Sequence, residues 1–261
     1  MSDPTAGEPV GARVACIVVP CFNEALRLDR AALLELVGEG SVRLLFVDDG
    51  STDHTAAVLR ELEAASEAIR VHTLDRNHGK AEAVRRGLIA ACTGPEALIG
   101  YYDADLATPP EELLRLVAVL ASRPEIACVL GARVALLGSV IQRRAFRHYA
   151  GRLFASAASA ALGVAVYDTQ CGAKVFRRSA ALDAAIAAPF RSRWAFDVEL
   201  LARLLRGNAT VAPIAVDALL EVPLRSWRDI PGSGLRAGGV LSALADVGRI
   251  GAARCLKRPT H

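Results

Sequence analysis

The chain has 261 residues, of which 52% are hydrophobic and 23% are charged, and its formal net charge at neutral pH is +3. This length suits one large domain or two small ones, and the composition excludes a disordered, collagen-like or coiled-coil chain. Aromatic residues make up only 5% of the sequence. Because nucleic-acid-binding domains carry a dominant basic face or several stacking aromatic residues, the composition argues against nucleic acid as a partner.

The cysteines and the N-terminus indicate a cytoplasmic protein. None of the six cysteines forms a C-x-x-C pair, and several lie in apolar runs, which favours a reducing compartment and argues against structural zinc. Residues 1–12 contain neither a basic nor an apolar stretch, so we expect a flexible segment rather than a signal peptide. The longest uncharged run, between Arg152 and Asp168, is shorter than the about 20 residues that a membrane-spanning helix needs.

Strand and helix patterns alternate along the first half of the chain. Apolar strand-like runs occur at 14–20, 42–47, 69–74, 97–102 and 126–132, and helical patterns lie between them at 27–37, 52–68, 79–92 and 108–122. Nearly continuous apolar strands that are separated by helices are typical of a mostly parallel sheet covered on both faces. The later sequence predicts a long helix at 139–162, a strand at 174–176, helices at 179–188 and 195–206, and a last strand at 211–216. The predicted fold class is therefore α/β.

Polar residues follow four of the predicted strands. The segments are Pro20-Cys21-Phe22-Asn23-Glu24, Asp48-Asp49-Gly50-Ser51-Thr52-Asp53, Asp75-Arg76-Asn77-His78-Gly79-Lys80 and Asp103-Ala104-Asp105. Ligands of open parallel sheets bind beyond the carboxyl ends of the strands. Each segment by itself is also explained by turn or helix-cap chemistry, but all four together favour a binding site at this edge.

Asp103 and Asp105 are the most specific of these candidates. Two carboxylates two residues apart can share one divalent cation, and Mg²⁺ or Mn²⁺ commonly takes one or two carboxylates together with substrate phosphates. The sequence has no phosphate-binding P-loop, because Gly79-Lys80 lacks the upstream Gly and the following Ser or Thr, and no G-x-G-x-x-G follows the first strand. A nucleotide sugar is therefore favoured over ATP or NAD.

Segments 20–24, 47–53 and 103–105 resemble the signature of family 2 glycosyltransferases, which have the GT-A fold. Segments 77–80, 168–176 (Asp-Thr-Gln-Cys-Gly-Ala-Lys-Val-Phe) and 193–201 (Arg-Trp-Ala-Phe-Asp-Val-Glu-Leu-Leu) resemble the dolichyl-phosphate β-glucosyltransferase branch. The likeness implies a single Rossmann-like domain at 13–235, with a nucleotide-binding half at 13–133, an acceptor half at 134–235 and a basic tail at 236–261. It also implies inverting, metal-dependent transfer of a hexose from a UDP-sugar to a polyprenyl phosphate.

The resemblance implies roles for individual residues. On the donor side it implies Pro20, Phe22, Glu24 and Asp49 around the nucleoside, Asn77 and Lys80 near the diphosphate, and Asp103, Ala104 and Asp105 near the ribose and the metal. On the acceptor side it implies Arg133 near the phosphate and Asp197 near the acceptor, with Gln170 and Arg193 in the same motifs. Asp49 would face the uracil edge, Asp105 would be the main metal ligand, and Asp105, Asp197 and Lys80 would carry the chemistry.

A basic amphipathic segment is a second candidate for the acceptor side. Arg144 and Arg147 lie among further basic residues and are interleaved with aromatic and apolar ones between 142 and 153. Such a helix can lie on an anionic membrane surface and bind phosphates, although a solvated charged face is the simpler interpretation. We favour the membrane interpretation, which makes the protein peripheral on the cytoplasmic face.

The acceptor determines which chemistry Asp197 must supply. A phosphate monoester has a second pKa of about 6, so it is mostly dianionic at neutral pH and needs positioning more than a base. We therefore expect Asp197 to orient groups, and Asp197→Asn to keep most of the activity. The sequence leaves the sugar and the base of the donor open. It also leaves open a soluble or saccharide acceptor, a non-catalytic nucleotide-sugar binder, and a nucleotidyltransferase, which would need a Gly-rich basic loop in place of 20–24.

Overall fold

A computed structural model of the chain describes residues 13–142, 145–230 and 237–255, with side chains left out at 145–148, 237–241 and 253–255. The predicted flexible segment 1–12 lies outside the described residues. The strands are β1 (Ala15–Cys21), β2 (Val42–Asp48), β3 (Ile69–Thr73), β4 (Leu98–Tyr102), β5 (Cys128–Ala132), β6 (Val140–Gln142), β7 (Ala173–Arg177), β8 (Leu219–Pro223) and β9 (Ser226–Arg228). The helices are α1 (Arg30–Gly38), α2 (Thr55–Ala65), α3 (Lys80–Ala91), α4 (Pro110–Ala121), α5 (Ala145–Leu162), α6 (Ala180–Ala187), α7 (Phe196–Arg206) and α8 (Ala237–Cys255).

Within the described residues, the main sheet has the strand order β3-β2-β1-β4-β7-β5-β8. The pairs β3·β2, β2·β1, β1·β4 and β5·β8 are parallel, whereas β7 runs antiparallel to both of its neighbours, β4 and β5. The prediction of a mostly parallel sheet is therefore confirmed. Because β7 is reversed, its first residue lies at the edge where the parallel strands end. The segment before it, 168–172, is thereby brought to the predicted binding edge.

Helices cover both faces of the sheet, as the apolar strands require. Successive side chains of a strand point to opposite faces, so Ile17 and Val19 of β1 enter a core with α1, α2 and α4. Val18, between them, enters a second core with α3 and with α5 to α8. Two cores on one sheet explain why the strands are apolar throughout rather than alternating.

The predicted strand at 211–216 is wrong. No strand forms at 211–216; the strand that pairs with β5 is β8, which begins at Leu219. Asn208 turns the chain after α7 by accepting hydrogen bonds from the backbone N–H groups of Thr210 and Val211. The apolar run that follows crosses the end of α7, where the Ile214 N–H donates to the Leu204 carbonyl. Ile214 packs against the second core without joining the sheet, and Val216 is 54% exposed.

The predicted helix at 139–162 begins later, with α5 at Ala145. Residues Val140–Gln142 form β6, which pairs in parallel with β9, more than eighty residues further along the chain. A short strand of this kind has no local periodic signal, because the pairing comes entirely from the distant partner. Arg144 lies outside the described residues, as does the side chain of Arg147.

The segment predicted as a basic tail, 236–261, contains the long helix α8. Ala243, Val247 and Ile250 of this helix are buried in the second core. A Cβ atom on Gly251 would lie 3.3 Å from the Ala161 Cα atom, so α8 packs closely on α5. This helix is part of the folded domain.

Among the helices of the described residues, none is both long enough and apolar enough to cross a bilayer.

The five cysteines whose side chains are described, Cys16, Cys21, Cys92, Cys128 and Cys171, are all free thiols. Burial raises the pKa of Cys16 to about 12, with a smaller contribution from the charge of Glu96. The thiols therefore act as small apolar side chains, as the sequence predicts.

Candidate active site

The loops after β1 and β2 are joined by a network of short hydrogen bonds. Asn23 has a positive φ of 55°, and its side-chain oxygen accepts from the backbone N–H groups of Thr52 at 2.9 Å and Asp53 at 3.3 Å. In return, the Asn23 N–H donates to the Ser51 hydroxyl at 3.0 Å. These contacts fix the first two predicted segments against each other at the carboxyl edge of the sheet.

Asp49 fixes the third predicted segment to the second. Its two carboxylate oxygens accept from the backbone N–H groups of His78 at 2.8 Å and Gly79 at 2.7 Å, and the residue is buried. Gly50 has a φ of 65°, and a Cβ atom there would overlap the backbone of Arg76. Asp49 thus fixes the loops after β2 and β3 to each other. The contact with the uracil edge that the resemblance implies stays a prediction.

A cleft of about 730 Å³ opens above these loops. Donor-side candidates that line it are Pro20, Glu24, Lys80, Asp103, Ala104 and Asp105, and acceptor-side candidates are Arg133, Gln170, Arg193 and Asp197. Of the described candidates, Phe22, Asp49 and Asn77 lie outside this lining. Phe22 and Asn77 are exposed at the surface. The structure therefore brings most of the predicted donor and acceptor residues into one cavity.

Asp103 lies between Lys80 and Gly172. The Lys80 ammonium donates to Asp103 Oδ1 at 2.5 Å, and the Asp103 N–H donates to the Gly172 carbonyl at 2.9 Å. A Cβ atom on residue 172 would overlap the Asp103 carboxylate, so only glycine leaves room for it. Burial lowers the pKa of Lys80, but the nearby charges of Asp103 and Asp197 outweigh it and raise the pKa above its usual value. Lys80 is therefore a fixed cation in the cleft.

Three carboxylates crowd the donor side of the cleft. Burial, with the nearby charge of Asp103, raises the pKa of Asp105. Burial also raises the pKa of Glu24, against the opposing effect of Arg27, whose guanidinium contacts Glu24 Oε1 at 2.6 Å. The other oxygen of Glu24 is buried and has no hydrogen-bond partner among the described residues.

These donors fit a divalent cation. They are all hard oxygen ligands, and one of them, Glu24 Oε2, is buried without a hydrogen-bond partner among the described residues. Within the described part of the chain, no group of three or more His, Cys, Asp or Glu side chains is arranged to hold a metal by itself. Asp105 and Asp103 would therefore supply part of the shell, and diphosphate oxygens and water the rest.

The backbone after Asp105 is held in an uncommon conformation. Leu106 has a φ of 51°, a left-handed conformation that is rare for a residue with a branched side chain. Asp105 Oδ1 accepts from the Ala107 N–H at 3.1 Å and so closes this turn. Such local strain is retained where the surrounding structure requires it, and here it directs the second aspartate into the cleft.

Arg133 lies at the acceptor end of the cleft and is held from two sides. Its guanidinium donates to the two oxygens of Asp168 at 2.6 and 2.8 Å, and it lies 5.2 Å from the centre of the Trp227 ring. Burial lowers the pKa of Arg133, but the charge and hydrogen bonds of Asp168 raise it above the usual value. Two carboxylate contacts and one ring contact thereby fix the orientation of the guanidinium, and Arg133 lines the cavity.

Asp197 lies at the first turn of α7 and is almost fully buried. Its Oδ1 accepts from the Lys174 ammonium at 2.7 Å and from the Tyr101 hydroxyl. Its Oδ2 accepts a long hydrogen bond, 3.4 Å, from the side-chain amide of Gln170. Both Asp197 and Gln170 line the cavity.

Arg193, predicted on the acceptor side, lies beside the loop that precedes Lys80. Its Nε atom would be 3.0 Å from a Cβ atom on Gly79, the residue just before α3 and Lys80. The residue is exposed and lines the cleft. Its position in the sequence, beside the acceptor-side Asp197, gives no sign of this, because the loop before α7 folds back over the donor loops.

Several residues of the site have no clear sequence signal. Arg27 lines the cleft through its pair with Glu24, and Trp227 closes it beside Arg133. Lys174 and Tyr101 hold Asp197 from within the sheet. The spacing of Arg27 three residues after Glu24 was a weak local signal. The others depend on pairings across the sheet or on β9, which the sequence does not predict.

Comparison with known proteins identifies a family for the chain. A family model described as glycosyl transferase family 2 matches residues 16–183, which is more than half of the sequence. A dolichyl-phosphate beta-glucosyltransferase of Dictyostelium discoideum is 29% identical over 237 residues, covering 84% of this chain and 68% of the relative. Its Mus musculus counterpart is 35% identical over 239 residues, with the same coverage of 84% and 68%.

A bacterial relative and a solved structure extend the comparison. An undecaprenyl-phosphate 4-deoxy-4-formamido-L-arabinose transferase of Pseudomonas fluorescens is 33% identical over 193 residues, which cover 71% of this chain and 52% of the relative. The chain thus spans about half the length of this relative and about two thirds of the dolichyl-phosphate ones. The glucosyl-3-phosphoglycerate synthase of Mycobacterium tuberculosis, solved with Mn²⁺, UDP and glucosyl-3-phosphoglycerate, has a TM-score of 0.66 at 21% identity. It covers 92% of this chain and 80% of its own, and shares the fold.

Proposed function

The chain belongs to glycosyl transferase family 2, and on this premise we propose that it transfers a hexose from a UDP-sugar to the phosphate of a polyprenyl phosphate, with inversion at the anomeric carbon. One observation carries the proposal. The aspartates and Lys80 of the donor side share a single cavity with the fixed fork of Arg133. An activated sugar and an anionic acceptor are both accommodated by that distribution of charge.

At the donor end, Lys80 would contact the diphosphate, which is supported by the position of its side chain in the lining of the cleft, beside Asp103. Asp105 and Asp103 would hold Mg²⁺ or Mn²⁺, which when bound neutralises charge on the leaving nucleoside diphosphate. Arg193, against Gly79, adds a second cation on the same side. Positioning by fixed charges is the main means by which such a site accelerates transfer.

At the acceptor end, Arg133 would bind the phosphate through the donors that Asp168 leaves free. The cavity continues past it along Phe154, Ala155 and Ala243, which come from α5 and α8. An apolar wall next to a phosphate-binding guanidinium suits the first isoprene units of a polyprenyl phosphate. The dianionic phosphate then attacks the anomeric carbon without first losing a proton.

The proposed acceptor would bring the protein to a membrane surface, at the cytoplasmic face. Leu137, in the loop after β5, is fully exposed at 106%, and Leu136 beside it is 53% exposed. Leu153 of α5 is 65% exposed, on the helix that lines the acceptor end. Exposed leucines next to a lipid-phosphate site suit insertion into the interfacial region of a bilayer.

A flotation assay with vesicles tests this membrane role. Wild-type protein is expected to float with anionic vesicles, and the Leu136→Ser, Leu137→Ser double variant is expected to stay in the dense fraction. A matched control is Leu26→Ser, which replaces a leucine that is fully exposed at 101% on the donor loop. Equal flotation of the double variant and wild type would contradict the role of this loop.

The proposed activity is tested with radiolabelled UDP- and GDP-sugars, a polyprenyl phosphate, Mn²⁺ or Mg²⁺, and extraction into organic solvent. Label from a UDP-hexose is expected in the organic phase, and only with a divalent metal present. Label that stays in water but joins a soluble phosphorylated or saccharide acceptor would identify the alternative glycosyltransferase. Binding of donor with no transfer to any acceptor would identify a nucleotide-sugar-binding protein without catalysis.

The buried pair with Lys174 changes what a substitution of Asp197 reports. Asp197→Asn removes the carboxylate and also leaves the Lys174 ammonium without its counter-ion inside the sheet. A loss of activity in this single variant therefore does not identify a general base. The role of the carboxylate has to be read from variants of both residues.

A further inference from the structure

The centre of the sheet contains an ion pair that the transfer reaction described above does not use. Lys174 lies in the middle of β7 with 1% of its side chain exposed, between β4 and β5. Lysine is almost never fully buried unless it is paired, because removing an ammonium group from water is costly. An apolar residue of similar length would fill the same space without that cost, so the charge requires an explanation.

The charged partner of Lys174 is Asp197. Its ammonium donates to Asp197 Oδ1 at 2.7 Å and to the Cys171 carbonyl at 2.5 Å, and it lies 5.0 Å from the centre of the Tyr101 ring. Tyr101, which is also fully buried, donates its hydroxyl to the same Oδ1. Two donors from two neighbouring strands thus hold one oxygen of one carboxylate.

The second oxygen of Asp197 has a different environment. Its partner is Gln170, at the long distance of 3.4 Å, and both Gln170 and Asp197 line the cleft. Lys174 and Tyr101 are not among the residues that line it in the described chain. Oδ1 therefore faces the sheet and Oδ2 faces the cavity that Lys80 also lines.

We propose that Lys174 is a positioning residue for glycosyl transfer: together with Tyr101 it fixes the Asp197 carboxylate so that Oδ2 faces the sugar and the acceptor. Lys174 itself touches neither ligand and acts through Asp197. The inference rests on the glycosyltransferase activity proposed above but not on the identity of the acceptor. It explains why a charged pair is kept where apolar packing would be easier.

A double-mutant cycle tests the proposal. Lys174→Met and Asp197→Asn are each expected to lower kcat by about 100-fold, the scale of a misplaced group in an active site. For Asp197→Asn this replaces the retained activity that the sequence alone led us to expect, because the buried pair with Lys174 is visible only in the structure. The double variant is expected to lose no more than either single one, because Lys174 acts only through Asp197. Losses that multiply to about 10,000-fold would show independent roles and overturn the proposal. Recovery of the double variant to wild-type kcat would overturn it too, since the carboxylate would then be dispensable.

Separate measurement of KM and kcat distinguishes a positioning role from a loss of folded protein. The KM for the nucleotide sugar is expected to stay within about 3-fold of wild type in each variant, because the donor loops do not contact Lys174; a parallel rise in KM would contradict the proposal. Tyr101→Phe removes only the hydroxyl and keeps the ring, so it folds even if Lys174→Met does not. It is expected to lower kcat by about 10-fold with unchanged KM, and an unchanged kcat would count against the proposal.

Glu96→Gln is the matched control. It also breaks a buried ion pair, with Arg43 at 2.8 Å, but at the start of β4, away from the cleft. It is expected to lower the melting temperature and leave kcat unchanged, whereas the Asp197 pair changes kcat. A kcat loss in Glu96→Gln as large as in Lys174→Met would show that the loss in Lys174→Met comes from lower stability, and would overturn the proposal. If wild-type protein transfers sugar to no acceptor, the proposed function itself is wrong. The wild-type assay therefore separates that outcome from a failure of the Lys174 proposal alone.

Discussion

The donor end and the acceptor end of the cleft are built in different ways. The donor end consists of turns that follow parallel strands, fixed by bonds between side chains and nearby backbone, as between Asn23 and Thr52 or Asp49 and Gly79. The acceptor end consists of ion pairs between segments far apart in the chain, such as Arg133 with Asp168 and Lys174 with Asp197.

This difference predicts different responses to substitution. Lys80 on the donor side is half-exposed, so its removal changes function more than stability. Arg133 and Lys174 are buried against carboxylates, so removing either takes a buried ion-pair contact away from Asp168 or Asp197. Donor-side variants should therefore separate activity from stability, and acceptor-side variants should couple them.

The largest effect is expected from Asp105→Asn. Loss of the carboxylate that directs a divalent ion to the diphosphate should lower kcat by about 1,000-fold, since metal-assisted charge stabilisation is worth several kcal/mol. The measurement is transfer from a UDP-hexose over a titration of Mn²⁺. Asp75→Asn, in an exposed position on a neighbouring loop, is the control and should keep wild-type activity. Full activity of Asp105→Asn at saturating Mn²⁺ would remove Asp105 from the site.

The next effect compares Lys80→Met with Arg133→Met. Both should lower kcat/KM by about 100-fold, the scale of losing a fixed charge at a reacting phosphate. Arg133→Met should also lower the free energy of unfolding by about 3 kcal/mol, because Asp168 loses its bidentate partner. Lys80→Met should change it by less than about 1 kcal/mol. Urea unfolding of both variants measures the difference, and equal destabilisation would contradict the comparison between the two ends.

A smaller effect is expected where the two ends meet, at Gly172. In Gly172→Ala the new Cβ atom overlaps the Asp103 carboxylate, so the Mn²⁺ requirement should rise by about 10-fold and the free energy of unfolding should fall by about 1–3 kcal/mol. Gly38→Ala is the control, because a Cβ atom at that helix end meets nothing within 4 Å. Activity titrated against Mn²⁺, with melting curves for both variants, is the measurement. An unchanged Mn²⁺ requirement would show that Asp103 does not depend on this close approach.

The smallest effect is a gain in stability with a defined pH dependence. The pKa of Asp105 is raised above 3.8, so its favourable contribution to folding is complete below that pH and is lost as the pH rises through the folded-state value. Asp105→Asn does not suffer this loss. Without metal, the free energy of unfolding of the variant at pH 7 should be about 1 kcal/mol higher than that of wild type, which raises its melting temperature by about 2–4 °C. This difference in melting temperature should disappear near pH 4. A gap that widens towards pH 4 would have the wrong sign.

The donor end was largely predictable from the sequence because its signals are local. Strand ends followed by Asp103-Ala104-Asp105 or by Asp48-Asp49-Gly50 predict the edge of the sheet that carries the candidate site. The GT-A fold and family 2 membership, which the resemblance of these segments implies, are confirmed. The roles of single residues were less predictable. The same Asp49 that marks the motif uses its carboxylate to hold backbone N–H groups.

The acceptor end was only partly predictable because it depends on long-range pairing. Strand β6 exists only through β9, and the wrong strand at 211–216 has the apolar pattern of a strand but packs beside α7. Helix α8 was hidden in a Gly-rich stretch, since small residues that pack closely on α5 give a weak periodic signal. Arg193 lies beside Gly79 only because its loop folds back.

The sequence by itself determined the α/β class, the edge of the sheet that carries the site, and the pair of aspartates within it, because these depend on periodicity and on residues close together in the chain. Only the tertiary structure decided which charges meet: Lys80 with Asp103, Arg133 with Asp168, and Lys174 with Asp197. For the last two pairs the physical reason is that β7 is antiparallel in the middle of a mostly parallel sheet. That reversal carries Gly172 to the binding edge and places an ammonium group inside the sheet, and no local pattern predicts it.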